Sequence, residues 1–347
     1  MAQSTQANAG FGLGALAKAD DLKKRLLFTV GALIIYRLGT FIPLPGIDPV
    51  ALSEVFGQQT TGILGMFDMF SGGALGRMTI FALNIMPYIT ASIIMQLLTA
   101  AIPALEDLQK NEGEAGRRKI SQITRYVAAG WSVIQSTAIT IGLLRPYALG
   151  DPFWFVPETV LALTAGSMFV MWVSELITER GIGNGASLLI FVNIVASLPR
   201  TLGQTIDYAQ TGGRQAAAQV VILLLVFLVM IVGIVFVQEG TRRIPIISAR
   251  RQVGRKLYRE RTSYLPLRLN QGGVMPIIFA SALIFLPITI ANVTGNPVLI
   301  KLASSLNPGS SNPWPYALTF FSLILGFSFF YASLTINPVD VASNLKK

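Results

Sequence analysis

Lysine and arginine are concentrated in one polar stretch, between positions 242 and 268. The nine basic residues are Arg242, Arg243, Arg250, Arg251, Arg255, Lys256, Arg259, Arg261 and Arg268. The only acid among them is Glu260. Guanidinium groups bind phosphate and carboxylate groups through paired hydrogen bonds, so the stretch predicts a surface that docks an acidic or nucleic-acid partner. Cytoplasmic retention of positive membrane loops, or attraction to anionic lipid headgroups, is the alternative interpretation.

Other kinds of chemistry have few candidate residues. The sequence contains no Cys and no His, which excludes thiol catalysis, imidazole acid–base chemistry and metal sites built from those residues. Asp68, Glu175 and Glu239 are the acids closest to apolar segments, and each lies near a segment end. An ion-coupled transporter carries ionisable side chains inside its helical bundle. A small-solute secondary transporter is therefore the alternative function, and we expect no enzyme activity and no cofactor.

The elements that position the basic stretch are membrane helices. The chain is 52% hydrophobic and 13% charged, with a mean hydropathy of +0.58, whereas soluble domains carry roughly 25% charged residues. Apolar runs near the length of a bilayer crossing lie at 26–42, 78–101, 120–144, 155–177, 186–198, 216–237, 274–291 and 315–336. These runs predict an all-α, polytopic transmembrane bundle with eight spans, the fifth of them short.

Charge predicts the orientation of the bundle. With the N-terminus in the cytoplasm, 21 of the 27 lysines and arginines lie on that side. The six on the outer side are Arg37, Arg77, Arg145, Arg200, Arg214 and Lys301. Because cytoplasmic loops are the ones enriched in Lys and Arg, both ends of this chain are expected in the cytoplasm.

A short apolar segment between the first two spans does not fit a membrane crossing. It consists of Gly62, Ile63, Leu64, Gly65, Met66, Phe67, Asp68, Met69, Phe70, Ser71, Gly72 and Gly73. Its glycines predict a conformationally loose backbone, and its Met and Phe side chains predict an adaptable surface. A re-entrant half-helix buried beside a cavity and a helix lying on the outer membrane surface both fit this pattern.

Several long strings resemble the SecY family, the pore subunit of the Sec protein-conducting channel. They are YRLGTFIPLPGID at 36–48, IMPYI at 85–89, GEAGRRKISQ at 113–122, ERGIGNG at 179–185, NP at 337–338 and NLKK at 344–347. The family has ten spans in two halves of five, so eight of the expected ten spans are present here. The resemblance implies a cytoplasmic arm at 1–25, an N-terminal half at 26–200, and a shortened C-terminal half at 201–347 with its basic loop at 242–270.

The resemblance also implies roles for individual residues. A pore ring of isoleucines would seal around a passing chain, and segment 62–73 would be the plug outside that ring. The ring residues are Ile85, Ile89, Ile190, Ile194 and Ile278. The lateral gate, through which helices leave to lipid, would include Thr90, Ile93 and Gln135. The docking surface would include Arg180, Arg250, Arg251, Arg255, Lys256 and Arg259.

The same resemblance implies what the protein does and which partners it has. It would conduct unfolded secretory polypeptides across the bacterial plasma (inner) membrane and release transmembrane helices into the lipid. The implied partners are the SecE and SecG subunits, the SecA ATPase, the ribosome, signal sequences and nascent polypeptides, and membrane lipid.

Overall fold

The computed structural model describes residues 20–47, 63–111, 113–149, 151–246, 252–253, 256–257, 263–294, 296–307, 309–310 and 312–335. Helices dominate these residues. The first six are α1 Asp20–Gly39, α2 Ile63–Ser71, α3 Met86–Ala101, α4 Pro103–Asn111, α5 Gly113–Ile139 and α6 Pro152–Arg180. The others are α7 Gly185–Thr211, α8 Gly213–Glu239, α9 Met275–Thr294, α10 Pro297–Ser305 and α11 Trp314–Thr335. A π-helical turn, Thr140–Leu144, and a 3₁₀ turn, Arg145–Tyr147, extend α5.

Each of the eight predicted apolar runs contains a helix, which confirms the helical membrane-protein class. Within the described residues, five helices are long and apolar enough to cross a membrane: 113–147, 153–180, 185–211, 213–239 and 314–333. Shorter apolar helices lie at 86–99 and 275–284. The number of membrane crossings stays a prediction.

Two predicted spans differ from the helices that form. The second starts at Met86 rather than position 78, because Met78 and Asn84 adopt left-handed backbone conformations that interrupt a helix. Pro87 then occupies the first turn of α3, where its missing N–H costs nothing. The fifth span was predicted to be short, but α7 continues past Pro199 to Thr211. The prediction was too short because hydropathy detects only the apolar part of a helix. The additional turns of α7 are mostly polar and exposed.

The basic stretch after α8 was predicted as a loop, and part of it is a β-ribbon. Strands β1 (Thr241–Ile246) and β4 (Ser263–Arg268) pair antiparallel, with Thr241 opposite Arg268 and Ile246 opposite Ser263. Strands β2 (Gln252–Val253) and β3 (Lys256–Leu257) form a second two-stranded pair. Because each pair has two strands only, every strand is an edge, which is where prolines such as Pro245 and Pro266 are tolerated.

The chain forms two compact units. The first comprises 1–199 and 285–313, and the second 200–284 and 314–347. In the first unit, α5 packs against α3, α4 and α6, and α1 packs against α6. A row of aromatic rings runs through it, from Tyr36 to Phe81, Phe169 and Trp172, with successive centroids 5.6–5.9 Å apart. In the second unit, Phe279 packs against Phe327 and Tyr331.

Candidate functional site

The short helix α2 ends in a tight turn. Past its last residue the chain adopts left-handed conformations at Gly72 (φ +67°) and Gly73 (φ +81°). The Gly73 N–H donates to the carbonyl of Asp68 at 2.8 Å, and the Asp68 carboxylate accepts the N–H of Gly76 at 2.6 Å. The Ser71 hydroxyl accepts the N–H of Leu75 at 3.0 Å. These contacts fix the end of α2, in contrast to the loose backbone predicted from its glycines.

The carbonyl oxygen of Phe70 is part of a closed ring of four hydrogen bonds. The Asn193 amide group donates to this oxygen at 3.0 Å and to the hydroxyl of Tyr36 at 2.8 Å. The Tyr36 hydroxyl donates to Asn84 Oδ1 at 2.9 Å, and Asn84 Nδ2 donates back to the Phe70 carbonyl at 2.9 Å. Tyr36, Asn84 and Asn193 are buried, and a buried polar network of this kind is stable when every member is satisfied.

Asn84 reaches the ring through its backbone conformation. Its φ of +49° lies in the left-handed region, which Asn tolerates better than most residues. The Ser167 hydroxyl on α6 donates to the Asn84 carbonyl at 3.1 Å and fixes this peptide. Segments α1 and α7, the turn before α3, and α6 therefore all contribute to the environment of one carbonyl group on α2.

Two arginines bind the backbone carbonyl of Gly72, just past the end of α2. Arg37 Nη1 donates to the Gly72 carbonyl at 3.2 Å, and Arg77 Nη2 donates to the same oxygen at 3.3 Å. Both guanidinium groups also lie over the ring of Phe41, at 5.5 and 4.5 Å from its centroid. Cations near the C-terminal end of a helix are favourable because the peptide dipoles leave partial negative charge there.

The predicted pore-ring residues occupy apolar positions in both units. Ile85 and Ile89 are buried, one helical turn apart, and the Ile89 N–H donates to the Ile85 carbonyl at 3.1 Å. Ile190 and Ile194 are half-buried, one turn apart on α7. Ile278 is buried on α9, in the second unit. The ring itself stays a prediction.

The predicted gate residues make local contacts. Thr90 donates to the Met86 carbonyl of its own helix at 3.1 Å, and Ile93 is buried on the same helix. Gln135 Oε1 is buried and accepts no hydrogen bond from the described residues. It lines a small cavity of about 20 Å³ whose walls include Ser71 and Met86.

Most of the predicted docking residues fall outside the described part of the chain. Arg250, Arg251, Arg255 and Arg259 lie outside it, and Lys256 lies in strand β3. The predicted plug residue Gly62 also lies outside it, whereas α2 and the glycines after it cover the rest of that segment.

Arg180 is exposed at the C-terminal end of α6, and a tight loop fixes its position. The Ile182 N–H donates to the Thr29 hydroxyl on α1 at 3.2 Å. The Gly185 N–H donates to the Thr178 hydroxyl at 2.9 Å. These two bonds hold the loop that follows Arg180 to α1 and α6.

Sequence analysis missed the residues that hold the end of α2. Tyr36 and Arg37 were part of a family-like string, and Arg37 was also counted as an outer charge, while Asn84 and Asn193 received no role. The available signal was an Asn inside each of two apolar runs, because a polar side chain at membrane depth requires a partner. The identity of that partner depends on residues 48 and 157 positions apart in sequence.

The helices and the short helix held among them define a polytopic membrane protein with a channel-type fold, and similar proteins agree with this class. The SecY family model matches residues 79–347. Protein translocase subunit SecY of a Synechocystis species is 64% identical over 340 residues, which cover 96% of this chain and 76% of that protein. The chain belongs to the SecY family.

Two solved structures share the fold. The idle yeast Ssh1 complex bound to the 80S ribosome has a TM-score of 0.61 at 15% identity, covering 89% of this chain and 72% of that one. A SecY structure, described as showing that its plug domain stabilises the closed state of the translocation channel, has a TM-score of 0.52 at 17% identity. That match covers 79% of this chain and 58% of the other, so the chain spans less than two thirds of that channel.

Proposed function

We propose that this chain is the central channel subunit of a Sec-type translocon, which conducts unfolded polypeptides across a membrane and releases transmembrane helices sideways into lipid. The observation that carries the proposal is α2, a nine-residue helix too short to cross a bilayer, whose end is held by α1, α7 and the turn before α3. A helix of this kind suits a plug that closes a polypeptide pore. The name of the Synechocystis relative supports the same function.

Two of the three acids near membrane depth, Glu175 and Asp68, favour a channel over an ion-coupled transporter. Glu175 accepts a hydrogen bond from Arg125 Nε at 2.8 Å, which pairs its charge between α6 and α5. Asp68 is occupied by the N–H of Gly76. A coupling site needs an acid that exchanges partners with a transported ion, whereas these two carboxylates support the local structure.

The proposed channel closes in two ways. The isoleucines Ile85, Ile89, Ile190, Ile194 and Ile278 form an apolar constriction. Such a ring excludes water and ions but makes no strong polar contacts with a sliding chain. Helix α2 acts as the plug on the outer side of this ring. Thr90, Ile93 and Gln135 contribute to the gate through which hydrophobic helices leave for the lipid.

The cytoplasmic surface carries the docking sites. The residues that bind the SecA ATPase or the ribosome are Arg180, Arg250, Arg251, Arg255, Lys256 and Arg259. The ribosome-bound Ssh1 complex is a precedent among proteins of this fold. SecE and SecG are the accompanying subunits, and signal sequences and nascent polypeptides are the substrates. The membrane is the bacterial plasma (inner) membrane, with both ends of this chain in the cytoplasm.

A disulfide crosslink between substrate and ring tests the channel function. The sequence has no cysteine, so Ile89→Cys introduces a single thiol into its 347 residues. A secretory substrate with one Cys in its mature part, stalled in membranes containing the complete translocase, is expected to crosslink to position 89 when SecA is present. Ile300→Cys on α10, outside the predicted ring, is the matched control. Ongoing translocation without crosslinks from positions 89, 190 or 278 would refute the ring.

A further inference from the structure

The last turn of the plug helix, α2, is held by residues distant in the sequence. The final carbonyl groups of any helix have no partner within the helix, and they need donors from elsewhere when buried. Here the Phe70 carbonyl accepts amide hydrogens from Asn84 and Asn193, and the Gly72 carbonyl accepts guanidinium hydrogens from Arg37. The cap of this helix is therefore supplied by other parts of the bundle.

We infer that Tyr36, Asn84 and Asn193 are positioning residues that anchor the C-terminal end of the plug and so hold it in its resting place. This inference rests on the proposed channel function. In the closed channel, these three residues hold the plug in place, and the isoleucine ring forms a second, separate barrier.

The backbone beside the anchor leaves room for its side chains. Gly72 and Gly73 have φ angles of +67° and +81°, which few residues other than glycine adopt readily. A Cβ atom at position 72 would lie 2.8 Å from Arg37 Nη1 and 2.8 Å from Asn193 Oδ1. Glycine at this position thus lets the side chains of Arg37 and Asn193 approach the backbone.

The hydrogen-bond ring makes the anchor costly to release. The donors of the ring find their acceptors in Asn84 Oδ1, the Tyr36 hydroxyl oxygen and the Phe70 carbonyl. Removing this carbonyl would leave the buried amide groups of both asparagines short of an acceptor, which is costly in a low-dielectric interior.

Thiol labelling tests the anchor directly. Gly65→Cys places one thiol in the first turns of the plug. In the resting translocase, we expect an impermeant maleimide to label position 65 several-fold faster when Asn84→Gly and Asn193→Leu are both present than when they are absent. Equal labelling rates in the two backgrounds would overturn the anchor. Export of the substrate, measured in the same membranes, tests the channel function separately.

Ion conductance tests the anchoring residues. Asn84→Gly removes the amide while keeping a residue that accepts the left-handed backbone, and Asn193→Leu removes the second amide at similar volume. Each single variant is expected to raise the resting conductance of the complete translocase in planar bilayers by about threefold to tenfold, the range of one interhelical hydrogen bond. The double variant is expected to exceed the product of the two, because only then does the Phe70 carbonyl lose both donors.

A control variant separates anchoring from a general loss of stability. Thr124→Val removes a buried hydroxyl that donates to its own helix at the Ile120 carbonyl, far in sequence from the plug. Its resting conductance is expected to match the unmodified protein. The inference is overturned if the asparagine variants conduct no more than this control while substrate export proceeds normally.

Discussion

Tyr36 on α1 and Asn193 on α7 are 157 positions apart in sequence, and the Asn193 amide donates a 2.8 Å hydrogen bond to the Tyr36 hydroxyl in the buried interior. The same hydroxyl donates to Asn84 at 2.9 Å. One phenol therefore connects α1 and α7 to the turn that precedes α3. Because all three residues face the end of α2, the hydroxyl contributes both to stability and to the position of that helix.

Replacing Tyr36 with Phe tests the stabilising contribution of this hydroxyl. The ring stack on Phe81 is retained, because the two rings are parallel and 5.9 Å apart. Asn84 Oδ1 then loses its donor, so we expect the free energy of unfolding to fall by about 1–3 kcal/mol. Thermal unfolding in detergent measures the change, with Tyr126→Phe, at an exposed position on α5, as the control. Equal unfolding temperatures for the two variants would contradict this role.

The predictable and unpredictable parts of the structure differ in their physical origin. Apolar length located each membrane helix, and the Gly- and Met-rich composition located α2, because both are local properties of the sequence. The start of α3 at Met86 was missed because left-handed turns at Met78 and Asn84 leave no hydropathy signal. The ring on the Phe70 carbonyl was missed because hydrogen-bond partners far apart in sequence are fixed by packing.

Helix packing in the first unit depends on Gly166. A methyl group at this position on α6 would overlap the carbonyl oxygen of Ile80, so Gly166→Ala forces one backbone away from the other. We expect a loss of roughly 1–3 kcal/mol of stability, as for other overpacked cores. Gly130→Ala on α5 is the matched control, because no atom lies within 4 Å of the added methyl group.

The control variant Gly130→Ala is itself expected to change thermal stability. Alanine is favoured over glycine inside a helix by roughly 0.5–1 kcal/mol, so Gly130→Ala is expected to raise the unfolding temperature slightly. Both variants are compared by thermal unfolding in the same detergent. If Gly166→Ala proved as stable as Gly130→Ala, the close approach of α6 to residue 80 would be wrong.

A polar residue in the proposed ring is expected to relax substrate selection. Ile89→Asn places an amide in the apolar constriction, which lets water enter and weakens the closed state. Secretory proteins with defective signal sequences should then be exported several-fold more efficiently, measured by protease protection in membrane vesicles. Ile94→Asn on the same helix, at a half-buried position off the predicted ring face, is the control. Continued rejection of defective signal sequences by Ile89→Asn would remove the main support for the ring.

The basic stretch at 242–268 is expected to govern partner binding through charge. The double substitution Arg255→Glu with Lys256→Glu reverses two charges in a stretch where Glu260 is the only acid, so an acidic partner is repelled. We expect the affinity for SecA or for ribosomes to fall by roughly tenfold at low ionic strength, and the difference to shrink at high salt as screening increases. Lys301→Glu, on α10 and on the predicted outer side, is the matched control and should bind like the unmodified protein. An unchanged affinity in the double variant would leave the positive charge explained by membrane topology alone.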